Sequence, residues 1–205
     1  MGTEKDRGTT RRRRPQQSRS LETWKTLLDA ATALFAEQGY EQTTTHQIAL
    51  RAGISVGAVY RYFADKEAIL KEIYVQEMTA LRSRVLDELD PADLLDQDLR
   101  AILQKALSLA FRLYTEQSGL RRVLSEQSRK IPDLAALRQE QEEGLRHTIE
   151  QLLLSVPGVK IPDTEVGAYL ISTFMESLIE DYTLYRRDHV SFGDQRIIDG
   201  VIDFI

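Results

Sequence analysis

TTTHQIALRAGISVGAVYRYFADKEAIL, residues 43–70, is the stretch on which the reading of this chain turns. Thr44 followed three residues later by Gln47 is a capping-box pattern, in which the two side chains satisfy each other's orphan backbone donors at a helix start. Ile48, Ala49 and Ala52 give that short second helix its buried side, and Gly53 tolerates the positive φ of a tight turn. Ile54 plugs the turn. Ser55 caps a short third helix reaching Phe63, with Val56 near its start and Val59 and Phe63 inward at four-residue spacing. Asp65 caps a fourth. Two short helices joined by a glycine-containing turn describe a helix-turn-helix, whose second member offers its N-terminal residues to base edges in a DNA major groove.

Small side chains at that helix start permit close approach, and Ser55, Val56, Gly57 and Ala58 are such a set. Ser55 can hydrogen-bond a base or phosphate, Val56 and Ala58 can meet a thymine methyl, and Gly57 lets the backbone come near. Tyr60, Arg61 and Tyr62 follow with long side chains and polar tips, suited to phosphates; the alternative for Tyr60 and Tyr62 is simple packing. Thr44 and Lys66 sit beside helix starts, where backbone donors are free, and are further phosphate candidates. His46 can face DNA or be an exposed spectator.

Outward from this stretch the pattern stays helical. Upstream, Leu21, Trp24, Leu27, Leu28, Ala31, Leu34 and Phe35 fall on one helix face, with Ser20 as its N-cap and Gly39 as its stop. Downstream, Ile69 to Val85 extend the fourth helix until Asp90 and Pro91 end it. Helical periodicity then recurs over 99–114, around 120–124, and over 134–156, 166–187 and 195–205, with Pro and Gly between. Strand alternation is absent. The expected fold class is all-α with about nine helices: a flexible basic arm over 1–19, a DNA-binding domain over 20–66 and a larger body over 67–205.

Net charge is −5 over 205 residues, which misleads until it is divided along the chain. Up to Lys66 there are 11 Lys and Arg against 7 Asp and Glu; beyond it there are 16 against 25. A cationic front thus precedes an acidic body, and Arg11 to Arg14 add counterion release or minor-groove entry to the DNA reading. A solvated tail is the plainer account of these arginines. Cysteine is absent, which excludes thiol nucleophiles, disulfides and cysteine-ligated metals and leaves a reducing cytoplasm as the expected compartment. No signal peptide or membrane span is readable. His147 and His189 have no partners at metal-ligand spacing, and Glu140, Glu142 and Glu143 have no accompanying nucleophile, so neither a metal, a cofactor nor an enzyme is expected. The chain finishes on apolar Ile205 with no capping sequence, which implies an end that is buried or truncated.

Residues 43–70, together with LLDAATALFAEQGY at 27–40, resemble the DNA-binding signature of the TetR/AcrR family of bacterial transcription regulators. The resemblance covers about Leu21 to Leu70. It implies phosphate contacts at Thr44, Tyr60, Tyr62 and Lys66 and base reading at Ser55, Val56, Gly57 and Ala58, with Arg61 placed to contact a phosphate or reach a guanine. It also implies a ligand-responsive repressor on a near-palindromic double-stranded operator, released by a small hydrophobic effector; the length of the fourth helix and its position between the two parts make it the expected lever. A homodimer through the last two helices follows from the same likeness, and their apolar residues suit it. Pocket candidates in the body are Phe111, Tyr114, His147, Tyr169 and Phe174, each of which ordinary packing explains as well. The rivals are an activator or a partner-controlled regulator of the same fold, or an all-α enzyme or interaction module.

Overall fold

The computed structural model describes residues 18–88, 99–116, 118–155, 161–186 and 194–204. Arg11 to Arg14, Asp90, Pro91, His189 and Ile205 lie outside them, so the expectations placed on those residues do too. Helix α1, Ser18–Gln42, draws Ser18 and Arg19 into its first turn, so Ser20 is inside the helix and not its cap. Gly39 breaks it as a kink, with φ 82 and ψ 169, a left-handed backbone that favours glycine. Helix α2, Thr45–Arg51, starts on the capping box: Gln47 N–H donates to Thr44 Oγ1 at 3.2 Å and Thr44 N–H to Gln47 Oε1 at 2.8 Å. Gly53 makes the turn at φ 65, and Ile54 closes it by donating to the Ala49 carbonyl at 3.0 Å.

Helix α3, Val56–Tyr62, is capped by Ser55, whose Oγ accepts from Ala58 N–H at 3.1 Å. Asp65 does the same for α4, Lys66–Glu88, accepting from Ala68 N–H at 2.7 Å. The body adds α5 (Leu99–Glu116), α6 (Ser118–Ser128), α7 (Pro132–Ser155), α8 (Thr164–Glu180) and α9 (Asp194–Phe204). The described residues are thus all helical in architecture. The single helix expected over 166–187 changes form on the way: α8 passes into a π-helical segment, Asp181–Arg186, that turns Tyr182 and Leu184 inward.

Two apolar cores result. The first joins Trp24, Leu27 and Phe35 of α1, Ile48 of α2, Val59 of α3 and Ile69, Leu70 and Ile73 of α4 to Leu120, Val123 and Leu124 of α6 and to Leu134 of α7. The helix-turn-helix unit is therefore seated on α6, and its core does not stop at residue 66. Gly119 permits this approach: a Cβ there would stand 2.9 Å from the Ala36 carbonyl oxygen. The second core gathers Leu107 and Phe111 of α5, Leu153 of α7, Ile171 and Ile179 of α8, Tyr182, and Ile198, Val201 and Ile202 of α9.

This second core corrects one expectation. Among its described residues the last helix turns Ile198, Val201 and Ile202 into this core, where it packs against α5 of the same chain rather than presenting them to a second copy. Six of the large apolar side chains left in solvent lie on α7 and α8, Leu145, Leu154, Val166, Tyr169, Leu170 and Phe174, all between 40% and 62% exposed; Leu50 on α2, Tyr60 on α3 and Tyr185 are exposed elsewhere. No helix among the described residues is long and apolar enough to cross a membrane.

Candidate nucleic-acid interface

Packing α3 on the core leaves an outer face whose composition differs in one position from the sequence expectation. Ser55, Gly57, Tyr60 and Arg61 are exposed, while Val56 and Tyr62 are half-buried against the first core. Ala58 is the exception: it is only 8% exposed and stands beside Val59 on the inward side. At about 100° per residue, two consecutive positions fit within one buried stripe, so Ala58 is withdrawn from the surface where it would meet a thymine methyl. Gly57 faces open space, since a Cβ there would meet nothing nearer than Ser55 Oγ at 4.0 Å.

The polar tips expected at phosphates already have partners that fix their positions. Tyr60 Oη lies 3.1 Å from Thr45 Oγ1, bridging α3 to the start of α2. Tyr62 Oη lies 3.0 Å from Ser20 Oγ, bridging α3 to α1. Lys66 Nζ donates to the Tyr40 carbonyl oxygen at 2.6 Å and sits 4.0 Å from the centre of the Tyr40 ring. Burial holds that ammonium below the usual lysine range, partly opposed by Glu41. Burial also raises the Tyr40 hydroxyl to about 12. Lys66 therefore locks the chain after the Gly39 kink whatever else it touches. Thr44 and His46 are exposed at the head of α2, and Arg61 makes no ion pair with the described residues.

One tie was not visible in the sequence. Arg51 at the end of α2 grips Glu37 of α1 through two parallel bonds of 2.6 and 2.7 Å, a fork that fixes the angle of the helix-turn-helix on α1. Its residues are 14 positions apart, and only the fold brings them together.

The body candidates separate into different environments. Phe111 is buried in the second core, tilted against Tyr182 at 5.5 Å between ring centres. Phe174 is 40% exposed on α8. His147 and Tyr169 line a surface groove of about 500 Å³ between α7 and α8, whose other walls are largely charged. Tyr114 alone lines a cavity at the seam of the two cores, about 60 Å³ in volume and bounded by α4 to α8 and the π-helical segment. Burial pushes the Tyr114 hydroxyl up to about 12. The cavity's charged residues, Arg121, Arg138, Glu176 and Glu180, escaped the sequence reading because they come from three helices. The one local sign was Glu176 and Glu180, four apart near the end of α8. Among the described residues no three His, Cys, Asp or Glu gather as a metal site.

A tight helix-turn-helix with an open outer face is carried on an α-helical body, an arrangement whose second helix can enter a DNA groove. Residues 27–73 match the model of bacterial regulatory proteins of the tetR family. The chain is 31% identical over 83 residues to the fatty acid metabolism regulator protein of Bacillus subtilis (strain 168), spanning 40% of this chain and 43% of that one. The fold is shared with the fatty acid degradation regulator FadR from Bacillus halodurans, at a TM-score of 0.68 and 18% identity over 89% of this chain and 93% of that one. It is shared too with AibR, solved in complex with isovaleryl coenzyme A and operator DNA, at a TM-score of 0.65 and 17% identity over 89% and 97%. This chain spans less than half the length of the relatives it matches above 30% identity.

Proposed function

We propose that the chain is a homodimeric transcription repressor that binds a near-palindromic operator and leaves it when a small molecule occupies its body. The observation that carries the reading is the outer face of α3: Ser55 and Gly57 stand clear at the helix start, with Tyr60 and Arg61 beside them and the rest of the helix anchored in the core. Ser55 and Gly57 read the groove, with the outer part of Val56. Thr44, Tyr60, Arg61, Tyr62 and Lys66 hold phosphates on either side, the tyrosines and Lys66 from positions already fixed by their internal bonds. Such a protein works on the chromosome, in the bacterial cytoplasm.

The apolar face of α7 and α8 is where a second copy docks, because burying it covers six large exposed apolar side chains that lie on two adjacent helices. Two recognition helices then enter successive major grooves about one helical turn apart. Helix α4 supplies the coupling. Its first turns carry Ile69, Leu70 and Ile73 into the DNA-binding core, and Tyr74 and Met78 further along line the cavity. A ligand that prefers one placement of α4 shifts the population between bound and released forms. The relatives named for fatty acid metabolism, and AibR with its acyl thioester, favour a small molecule with an apolar part as the effector.

Selection from random double-stranded DNA with the purified chain tests the reading. The expected product is an inverted repeat with half-sites about ten base pairs apart, whose placement before a reporter gene lowers expression. Failure to enrich any duplex would overturn it, and enrichment with raised reporter expression would make the protein an activator.

A further inference from the structure

We infer that the effector is a small monocarboxylic acid, whose carboxylate is held in the seam cavity by Arg121; this rests on the ligand-responsive reading above and specifies its ligand. Arg121 is 6% exposed and lines the cavity, and its Nε has no hydrogen-bond partner. Its guanidinium stands over the Tyr114 ring at 5.1 Å, a contact that favours the cation but supplies no acceptor. A buried guanidinium with an unmet donor calls for an oxygen acceptor, and a negatively charged one meets both needs at once.

The other charges around the cavity decide the sign of the ligand. Glu180 accepts from Ser125 Oγ and pairs with Arg129 at 2.6 Å. Glu176 pairs with Arg138 at 3.1 Å, and the same guanidinium holds Glu142 at 2.6 Å and approaches Glu180 at 3.7 Å. Both carboxylates in the cavity thus have cations, whereas none of the described residues brings an anion into a salt bridge with Arg121. An amine would place a second cation beside Arg121 and find its carboxylates taken. A phosphate dianion would bring two charges close to Glu176 and Glu180, so a single carboxylate is the better fit.

Size and lining set the rest. About 60 Å³ takes a carboxyl group and a short tail, not a coenzyme A, and Tyr74, Met78, Leu124 and Leu184 offer the tail apolar walls. Met78 and Tyr74 belong to α4, so a tail longer than the cavity displaces the helix that enters the DNA-binding core.

Calorimetric titration of the full chain with butanoate, hexanoate, hexylamine, hexanol and inorganic phosphate tests the inference, with operator release by the same compounds read from fluorescence anisotropy. The acids are expected to bind and to release operator, and the amine, alcohol and phosphate to do neither. Arg121→Met, which preserves volume, is expected to weaken acid binding by about tenfold or more while still binding operator, since a charge-assisted hydrogen bond is lost. Arg121→Lys, which keeps the charge without the Nε donor, should fall between. Binding of the amine or phosphate instead of the acids overturns the inference. So does acid binding unchanged in both variants, or an operator-bound protein indifferent to every acid. A chain that binds no operator at all fails the repressor reading instead, and acid binding to that chain is scored separately by calorimetry.

Discussion

Gly57 and Ala58 are neighbours in sequence and opposites in environment, and substitution separates their roles. Gly57→Ala places a methyl in open space on a helix, so stability should hold or rise by about 0.5–1 kcal/mol through helix propensity. Operator affinity should nevertheless fall by about tenfold, because the new methyl stands where the groove approaches. Thermal melting and anisotropy on the same protein check both halves, and unchanged affinity would remove Gly57 from the reading face. At Glu176 the issue is protonation. Burial raises its carboxyl above the ordinary 4.5, against the pull of Arg138 and with Glu142 and Glu180 adding to the rise. A raised folded value means that the folded state binds the proton more tightly. This contribution to stability is fully present below the unfolded value and is lost as pH rises through the folded one. Glu176→Gln should therefore flatten the fall in unfolding free energy across that window, measured by urea denaturation at several pH values; an unaltered profile would contradict the assigned environment.

Elements are placed by caps that act locally and by contacts that do not. The boxes and caps at Thr44, Ser55 and Asp65 were legible because each joins residues three apart, so the letters alone specify the partners. The union of α1 with α6 was not legible. It depends on Gly119 meeting the backbone of Ala36, 83 positions away. Gly119→Ala would force the two helices apart or bend α6, and a loss of about 1–3 kcal/mol is expected from such overpacking. Because α6 also carries Arg121 and borders the cavity, the same substitution should loosen the coupling between ligand and operator. Denaturant midpoints and the ratio of operator affinities with and without hexanoate give the two readouts. A protein as stable as the parent would show that the helices have room to part.

For the whole molecule, the assignment of interface decides whether two recognition helices act together. With α9 folded into the second core, the exposed apolar surface on α7 and α8 is the proposed site of pairing. Leu170, 59% exposed on α8, is the position to challenge. Leu170→Glu should yield monomers in sedimentation velocity and lower operator affinity by about a hundredfold or more, the avidity lost when half-sites are bound singly. The helical content should not change. A variant that remains dimeric would return the interface to another face of the body.

The sequence by itself determined the helices, the helix-turn-helix and the likeness of residues 27–73 to the tetR family model, since capping, turn glycines and 3.6-residue periodicity are properties of a few adjacent residues. Gly39, Gly53, Ser55 and Lys66 could be placed from these rules alone. Tertiary structure decided which apolar stripe is buried within the chain and which stays exposed, and it placed Ile198, Val201 and Ile202 of the last helix in the core. It withdrew Ala58 from the reading face, tied Arg51 to Glu37, and set Arg121 over Tyr114 beside two already paired carboxylates. An amphipathic pattern states that a face will be covered and not by what, and the charge environment of a cavity exists only once several helices have met.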